Sequence, residues 1–429
     1  MLETNPHLDA WMSGWSTPAP STYQGSDQLA FQRWFRFKEA FSPKLVHDVI
    51  NTLPQPPKRI LDCCAGSGTT GVVAQFLGIE PTLIEVNPFL SDVIEAKLGN
   101  YCDVDISFEA GALLDRAKSI KVSIDDVRSR LPPTFVEPGV KERWLFDWGA
   151  AKGIEKIRLS ILGCKKTKVR RLFTVALGSI LIEASNVRID GKGRRYRQGW
   201  QNRHTTEKDV FAQFVLAVSN MIEDIYHYAG IPRSSYTLLR GDARKQLKHA
   251  KESHDLAIFS PPYPNSFDYT DIYNIELWML GYFKNAADNR QLRLNTLRSH
   301  VQVSWDFSPT VHNSPTLKKT LSALDSERAN LWDKRLPEMV EAYFEDISVL
   351  LSGIKPTLSP NGKIAIVVGD SSYANIKIDS ASIIGELANR IGLHLEKSQS
   401  VRVMRSSMQQ PAKGNKTLDE WLLHLQHRI

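Results

Sequence analysis

A chain of 429 residues is long enough for two or three domains, or for one core carrying large insertions. Its hydrophobic (42%) and charged (24%) fractions are those of a folded globular protein, which excludes a chain that is disordered throughout. The net charge of +7 fits a polyanionic partner, and no apolar run approaches the ~20 residues of a membrane span.

The chain opens with an arm, residues 1–34, polar and Pro/Ser-rich and read as loose; nothing in it resembles a signal peptide. A helix is predicted from Ser42 to Leu53, with Ser42 as N-cap and Pro43 at its first position. Arg59–Cys63 reads as a strand, Thr70–Leu77 as a helix, Thr82–Val86 as a strand and Leu90–Leu98 as a helix. This βαβ rhythm implies a parallel sheet over 35–100. It lapses over 101–232, which reads as a mainly helical insertion. It resumes over 233–282 with strands Thr237–Leu239 and Asp255–Phe259 and a helix Asp271–Leu280. A second, polar insertion covers 283–336; its His300, Trp305 and His312 have no interpretable spacing. Residues 337–429 return to the core with a helix, a strand Lys363–Val368, a second helix and a terminal hairpin. The expected fold is α/β, one sheet interrupted twice.

Two segments carry the chemistry. Gly66-Ser67-Gly68-Thr69-Thr70-Gly71 follows a strand and opens a helix, so its backbone can approach a ligand closely. Glu85, at the end of the next strand, can accept both hydroxyls of a ribose. Asp62, just ahead of the loop, would disfavour a pyrophosphate and favour the sulfonium and ammonium of S-adenosylmethionine. Cys63 and Cys64 read as small buried groups; with Cys102 and Cys164 they are expected to be reduced thiols of a cytoplasmic protein, with no metal site. The second segment, Ser260-Pro261-Pro262-Tyr263, ends a strand. Its prolines fix the turn, and its hydroxyl and carbonyls can grip an exocyclic amine while Tyr263 stacks on a ring.

These residues resemble a bacterial amino-group DNA methyltransferase of the S-adenosylmethionine-dependent class, over roughly 35–100 and 236–283 and more weakly over 338–429. The resemblance implies a Rossmann-like methyltransferase core, a mainly parallel sheet with a C-terminal β-hairpin. It implies that Phe41 and Ser42 close over the methionine end of the cofactor. Asp62, Ala65, Gly66, Ser67, Gly68, Thr69 and Thr70 would form the cofactor loop. Glu85 and Asn87 would hold the ribose, and Asp242 and Ala243 would meet the adenine; Asp242 also reads as a helix N-cap. Ser260, Pro261, Pro262 and Tyr263 would be catalytic. Serine at the first catalytic position leans towards the N4 amine of cytosine, with adenine N6 the alternative.

Carbon-5 methylation is disfavoured, since the Pro-Cys pair of that family is absent. The target base would leave the duplex, and its amine would bond to Ser260 and the Pro261 carbonyl. The run from Arg188 to His204 reads as a basic loop that could follow phosphates through Lys192, Arg194, Arg195, Arg197 and Arg203; Lys165–Arg171 is a second basic run. Implied partners are DNA and a cognate restriction endonuclease or defence-system proteins, with no membrane. The rival readings are an RNA base-amine methyltransferase and a non-catalytic DNA-binding protein.

Overall fold

Each strand predicted around the two motifs is found in the computed structural model, which describes residues 5–190, 193–231, 233–251, 253–305, 314–405 and 417–427. In chain order the strands are β1 (Arg59–Asp62), β2 (Glu80–Glu85), β3 (Val187–Asp190), β4 (Gly193–Tyr196), β5 (Thr237–Arg240), β6 (His254–Phe259), β7 (Leu358–Gly369), β8 (Ser371–Tyr373), β9 (Ile376–Ile378), β10 (Leu393–Arg405) and β11 (Thr417–His427). A seven-stranded sheet has the order β10-β11-β7-β6-β1-β2-β5. From β7 to β5 neighbouring strands pair in parallel, whereas β11 runs antiparallel to both β7 and β10. This is the Rossmann-like methyltransferase architecture that the resemblance implies.

Alternation along the strands divides the core in two. Ile60, Leu83, Leu256, Ile258, Ala365 and Val367 join one apolar cluster; Leu61, Ile84, Ala257, Phe259, Ile364 and Ile366 join the other. A central sheet buried on both faces gives this pattern, because successive side chains point to opposite sides. The first cluster takes in the helices flanking the glycine loop and the insertion helices Trp148–Leu162, Thr167–Ala184 and Glu207–His227; the second takes in Leu336–Ile354 and Ser380–Arg390. The chain runs outward from β1 through β2 to β5, then returns to the other side of β1 as β6. That reversal opens a crevice at the carboxyl ends of β1 and β6.

Three expectations are corrected. The arm is not loose: Leu8, Trp11, Tyr23 and Leu29 are buried, and Trp11 stacks on Phe76 with ring centroids 4.5 Å apart. Asp224 anchors it, accepting from the Phe31 amide at 2.9 Å, the Trp34 indole at 2.7 Å and the Arg33 guanidinium at 2.6 Å. The helix expected over Asp271–Leu280 is two, Tyr269–Ile272 and Asn274–Met279, because Tyr273 (φ −100°, ψ 14°) leaves helical geometry between them. The basic stretch after Arg188 is an antiparallel ribbon, β3 paired with β4, rather than a loop. Among the described residues, no helix is long and apolar enough to cross a membrane.

Candidate active site

The carboxyl ends of β1, β2 and β6 meet at one cleft of about 380 Å³, within the size range of small-molecule sites. Its wall includes Phe41, Ala65, Gly66, Thr69, Glu85, Asn87, Asp242 and Ala243 from the cofactor set and all of Ser260, Pro261, Pro262 and Tyr263. Segments almost two hundred residues apart therefore share one cavity. Ser42, Asp62, Ser67, Gly68 and Thr70 stand behind that wall.

The residues behind it brace the loop. Asp62 is buried and accepts from the Cys64 amide at 3.0 Å and the Thr70 hydroxyl at 2.6 Å. Asp62 is absent from the cleft wall and both its oxygens serve the loop's own donors, so it shapes the loop from behind; burial raises its pKa to about 7. Lys97, also buried, donates to the Ser67 carbonyl at 2.8 Å, and burial lowers its pKa to about 7. Gly66 sits at φ +54°, and a Cβ there would fall 2.6 Å from the Phe37 ring. Ser42 precedes the helix Pro43–Ile50 without side-chain capping: the Leu45 amide bonds to the Ser42 carbonyl at 3.1 Å, and the buried hydroxyl has no protein partner.

Glu85 links the loop to β2. Its carboxylate accepts from the Gly66 amide and the Asn87 amide, both at 2.8 Å, and burial raises its pKa to about 8. Each oxygen keeps a further lone pair for a diol. Asn87 caps the helix Pro88–Leu98 through its side chain. Asp242 caps the short helix at Ala243 and is clamped by Arg244, at 2.8 and 2.9 Å; Arg244 in turn reaches Asp346 at 2.9 Å. The capping role of Asp242 is thus present, with Arg244 neutralising it. A carboxylate at the end of β2, a glycine loop and a cleft of nucleoside size fit S-adenosylmethionine.

At the Ser-Pro-Pro-Tyr turn Phe259 is core; Phe267, also buried in the core, and Tyr269 line the cleft. The Tyr263 ring lies against Gly369, where a Cβ would come within 2.7 Å of it. Its hydroxyl donates to Glu420 at 2.8 Å, and Arg402 holds Glu420 at 2.8 and 3.0 Å. Arg402, Met404 and Glu420 belong to the terminal hairpin, and nothing in the sequence marks them as site residues. They arrive because β11 runs antiparallel to β7 and pairs Glu420 with Gly369, beside the carboxyl end of β6. His300 also lines the cleft, 1% exposed, with Nε2 making no hydrogen bond and lying 4.0 Å from Asp268; burial lowers its pKa. Tyr273 lines it too, donating to Glu39 and stacking on Phe37 with centroids 5.2 Å apart.

The chain is 25% identical to the Type II methyltransferase M.AvaI of Nostoc sp. over 430 residues, covering 92% of this chain and 86% of that protein. The Anabaena variabilis M.AvaI matches to the same extent. The Type II methyltransferase M.BsoBI of Geobacillus stearothermophilus is 24% identical over 420 residues, covering 86% of this chain and 80% of its own. Over most of its length the chain is thus similar to bacterial Type II methyltransferases. No family model matches it. Among solved structures, the rRNA methyltransferase aviRa from Streptomyces viridochromogenes superposes with a TM-score of only 0.27 at 10% identity, over 90% of this chain and 85% of that one, and says nothing about substrate.

The basic segments divide by what their side chains touch. Arg194 donates to Asn274 at 2.7 Å and Asp271 at 3.2 Å, pinning the ribbon to the segment after the Ser-Pro-Pro-Tyr turn. Lys38 donates to the Ile189 carbonyl at 3.1 Å, pinning it to the segment before the glycine loop. Arg197 and Arg203 are committed to Glu183 and to backbone carbonyls of the helix Thr167–Ala184. Of the expected phosphate contacts within the described residues, only Arg195 is largely exposed, its side chain 71% accessible and 3.7 Å from Asp190; Lys192 lies outside the described residues, as does His312. Arg188, directly opposite Arg195 across the ribbon, is 60% exposed. The second basic run is largely paired: Lys166 with Glu109, Lys168 with Asp103 and Arg171 with Asp92 and Glu95.

Proposed function

We propose that this chain is a DNA methyltransferase that transfers the methyl group of S-adenosylmethionine to the exocyclic N4 amine of a cytosine flipped out of the duplex. The observation that carries the reading is the shared cleft, with Glu85 and Gly66 on one wall and Ser260 to Tyr263 on the other. Serine at the first catalytic position favours cytosine over adenine.

When bound, the cofactor supplies an electrophilic sulfonium methyl. Glu85 and Asn87 would hold its ribose, Ala65, Gly66 and Thr69 its methionine end beneath Phe41, and Asp242 and Ala243 its adenine. The target amine is a poor nucleophile because its lone pair conjugates with the ring. Hydrogen bonds from its N–H groups to Ser260 Oγ and the Pro261 carbonyl would pyramidalise the nitrogen and free that pair. Positioning and fixed dipoles supply most of the rate. Phe267, Tyr269 and Tyr263 would enclose the base in place of its lost stacking.

Arg188 and Arg195 would meet DNA, since the ribbon is pinned beside both walls and a two-stranded ribbon fits a major groove. The insertions 101–232 and 283–336 would together form the recognition side. The reading carries a cytoplasmic location and a cognate restriction endonuclease or defence-system partner.

Expression in a methylation-free host, followed by digestion of its DNA and mass spectrometry, tests this. N4-methylcytosine is expected. N6-methyladenine alone overturns the cytosine assignment, and no modified base overturns the proposal.

A further inference from the structure

An exocyclic amine that has gained a methyl group carries a positive charge until a proton leaves it. Three side chains in the cleft stand in donor-to-acceptor order leading away from the place where Ser260 would meet that amine. The Ser260 hydroxyl donates to the Tyr263 hydroxyl at 3.5 Å, and the Tyr263 hydroxyl donates to Glu420 Oε1 at 2.8 Å. Glu420 is 1% exposed and held by both Nε and Nη2 of Arg402. Ser260, Tyr263, Glu420 and Arg402 all line the cleft. Contact with Gly369 fixes the Tyr263 ring, so the chain of hydroxyls has a defined course.

We propose that Glu420 is the acceptor of the proton shed by the target amine, delivered through Ser260 and Tyr263. The proposal rests on the reading of the chain as an amino methyltransferase. As the N–C bond forms, the donor's S–C bond breaks and its electron pair stays on sulfur. The amine proton passes to Ser260 Oγ, the Ser260 proton to Tyr263 Oη, and the Tyr263 proton to Glu420 Oε1. The amine ends neutral, both hydroxyls keep one proton each, and the carboxylate becomes a carboxylic acid that returns its proton to water after product leaves. Transfer is downhill, because a methylated, cationic exocyclic amine has lost its ring conjugation and is a far stronger acid than a carboxylic acid. Burial and the charge of Glu420 hold the Tyr263 phenol well above its ordinary range, so it hands a proton on rather than ionising.

Glu420→Gln separates this role from a structural one. The amide oxygen can still accept from Tyr263, so the geometry is kept while the basic group is removed. In single-turnover methylation with saturating S-adenosylmethionine and DNA, Glu420→Gln and Tyr263→Phe are each expected to be about 10²-fold slower. Dissociation constants for both ligands should stay within about threefold, and the double variant should be no slower than either single one, as for groups acting as one unit. A Glu420→Gln rate within about twofold of the unmodified chain overturns the proposal. If that variant does not melt cooperatively, Tyr263→Phe decides by the same threshold. An unmodified chain that transfers no methyl group to DNA defeats the methyltransferase reading itself, whereas an active chain with unimpaired variants removes only the relay.

Discussion

The cleft at the sheet's carboxyl edge and the ribbon β3–β4 use charge in opposite ways. In the cleft and the loop behind it every acid is committed: Asp62 to Cys64 and Thr70, Glu85 to Gly66 and Asn87, Glu420 to Tyr263 and Arg402. On the ribbon Arg194 is committed to partners off the ribbon, whereas Arg188 and Arg195, on adjacent strands, are largely exposed and share only Asp190 of the ribbon itself, at 3.5 and 3.7 Å. The contrast teaches how to count charges. A site that positions a reacting atom neutralises its ions locally and holds them still, while a surface that binds a polyanion needs cations exposed to solvent and held only by long, loose pairs. An arginine-dense stretch overstates its DNA contacts by however many of its guanidinium groups serve as staples.

The largest effect expected is at the cleft. Ser260→Ala should lower kcat by about 10²- to 10³-fold, as loss of one fixed hydrogen-bonding group in an active site does, with donor binding intact. Full activity on every DNA tested would break the cleft side of the comparison. Asp224→Ala should remove about 3 kcal/mol from the unfolding free energy in urea, because it strips Arg33, the Trp34 indole and the Phe31 amide of a buried common partner. A loss within experimental error would mean that the arm packs without that anchor.

The ribbon side is sharpened by salt. Replacing Arg188 and Arg195 together by Gln should reduce the slope of log K against log salt by about 2, whereas Arg197→Gln should leave the slope unchanged and cost about 1 kcal/mol of stability. A slope that responds to Arg197 and not to Arg188 and Arg195 would reverse the division between staples and contacts.

The smallest effect is a slope in pH. Asp62 and Glu85 have native pKa values of about 7 and about 8, raised by burial from ordinary values near 4. The native chain therefore holds protons that the unfolded chain releases as pH rises from about 4 to about 8, and stability falls across that window. Urea midpoints at intervals from pH 5 to pH 8 should decline, less steeply in Asp62→Asn. An Asp62→Asn profile as steep as that of the unmodified chain would show Asp62 ionised in the native, ligand-free chain.

Much of the site was legible before the fold was. Gly66 to Gly71 between a strand and a helix, Glu85 at a strand end and the double proline after Phe259 are local signals, each set by backbone chemistry within a few residues. The readings that needed correction concern groups whose role depends on distant partners. Asp62 seemed free to meet a cation until Thr70 and Cys64 claimed it; Ser42 had the spacing of a cap but its hydroxyl caps nothing; Trp11 and Tyr23 looked like part of a loose tail until Phe76 and the Gln32 carbonyl gave them surfaces.

Residue order alone determined the strand rhythm, the glycine turn and the rigid Ser-Pro-Pro-Tyr corner, since dihedral preference and periodicity act along the chain. Tertiary structure alone decided that Glu420 and Arg402 stand beside Tyr263, 157 residues away for Glu420, that His300 joins the cleft, and which arginines remain available to a partner. The reason is physical: hydrogen bonds and burial are contests among neighbours in space, and a one-dimensional text lists the contestants without saying who stands next to whom.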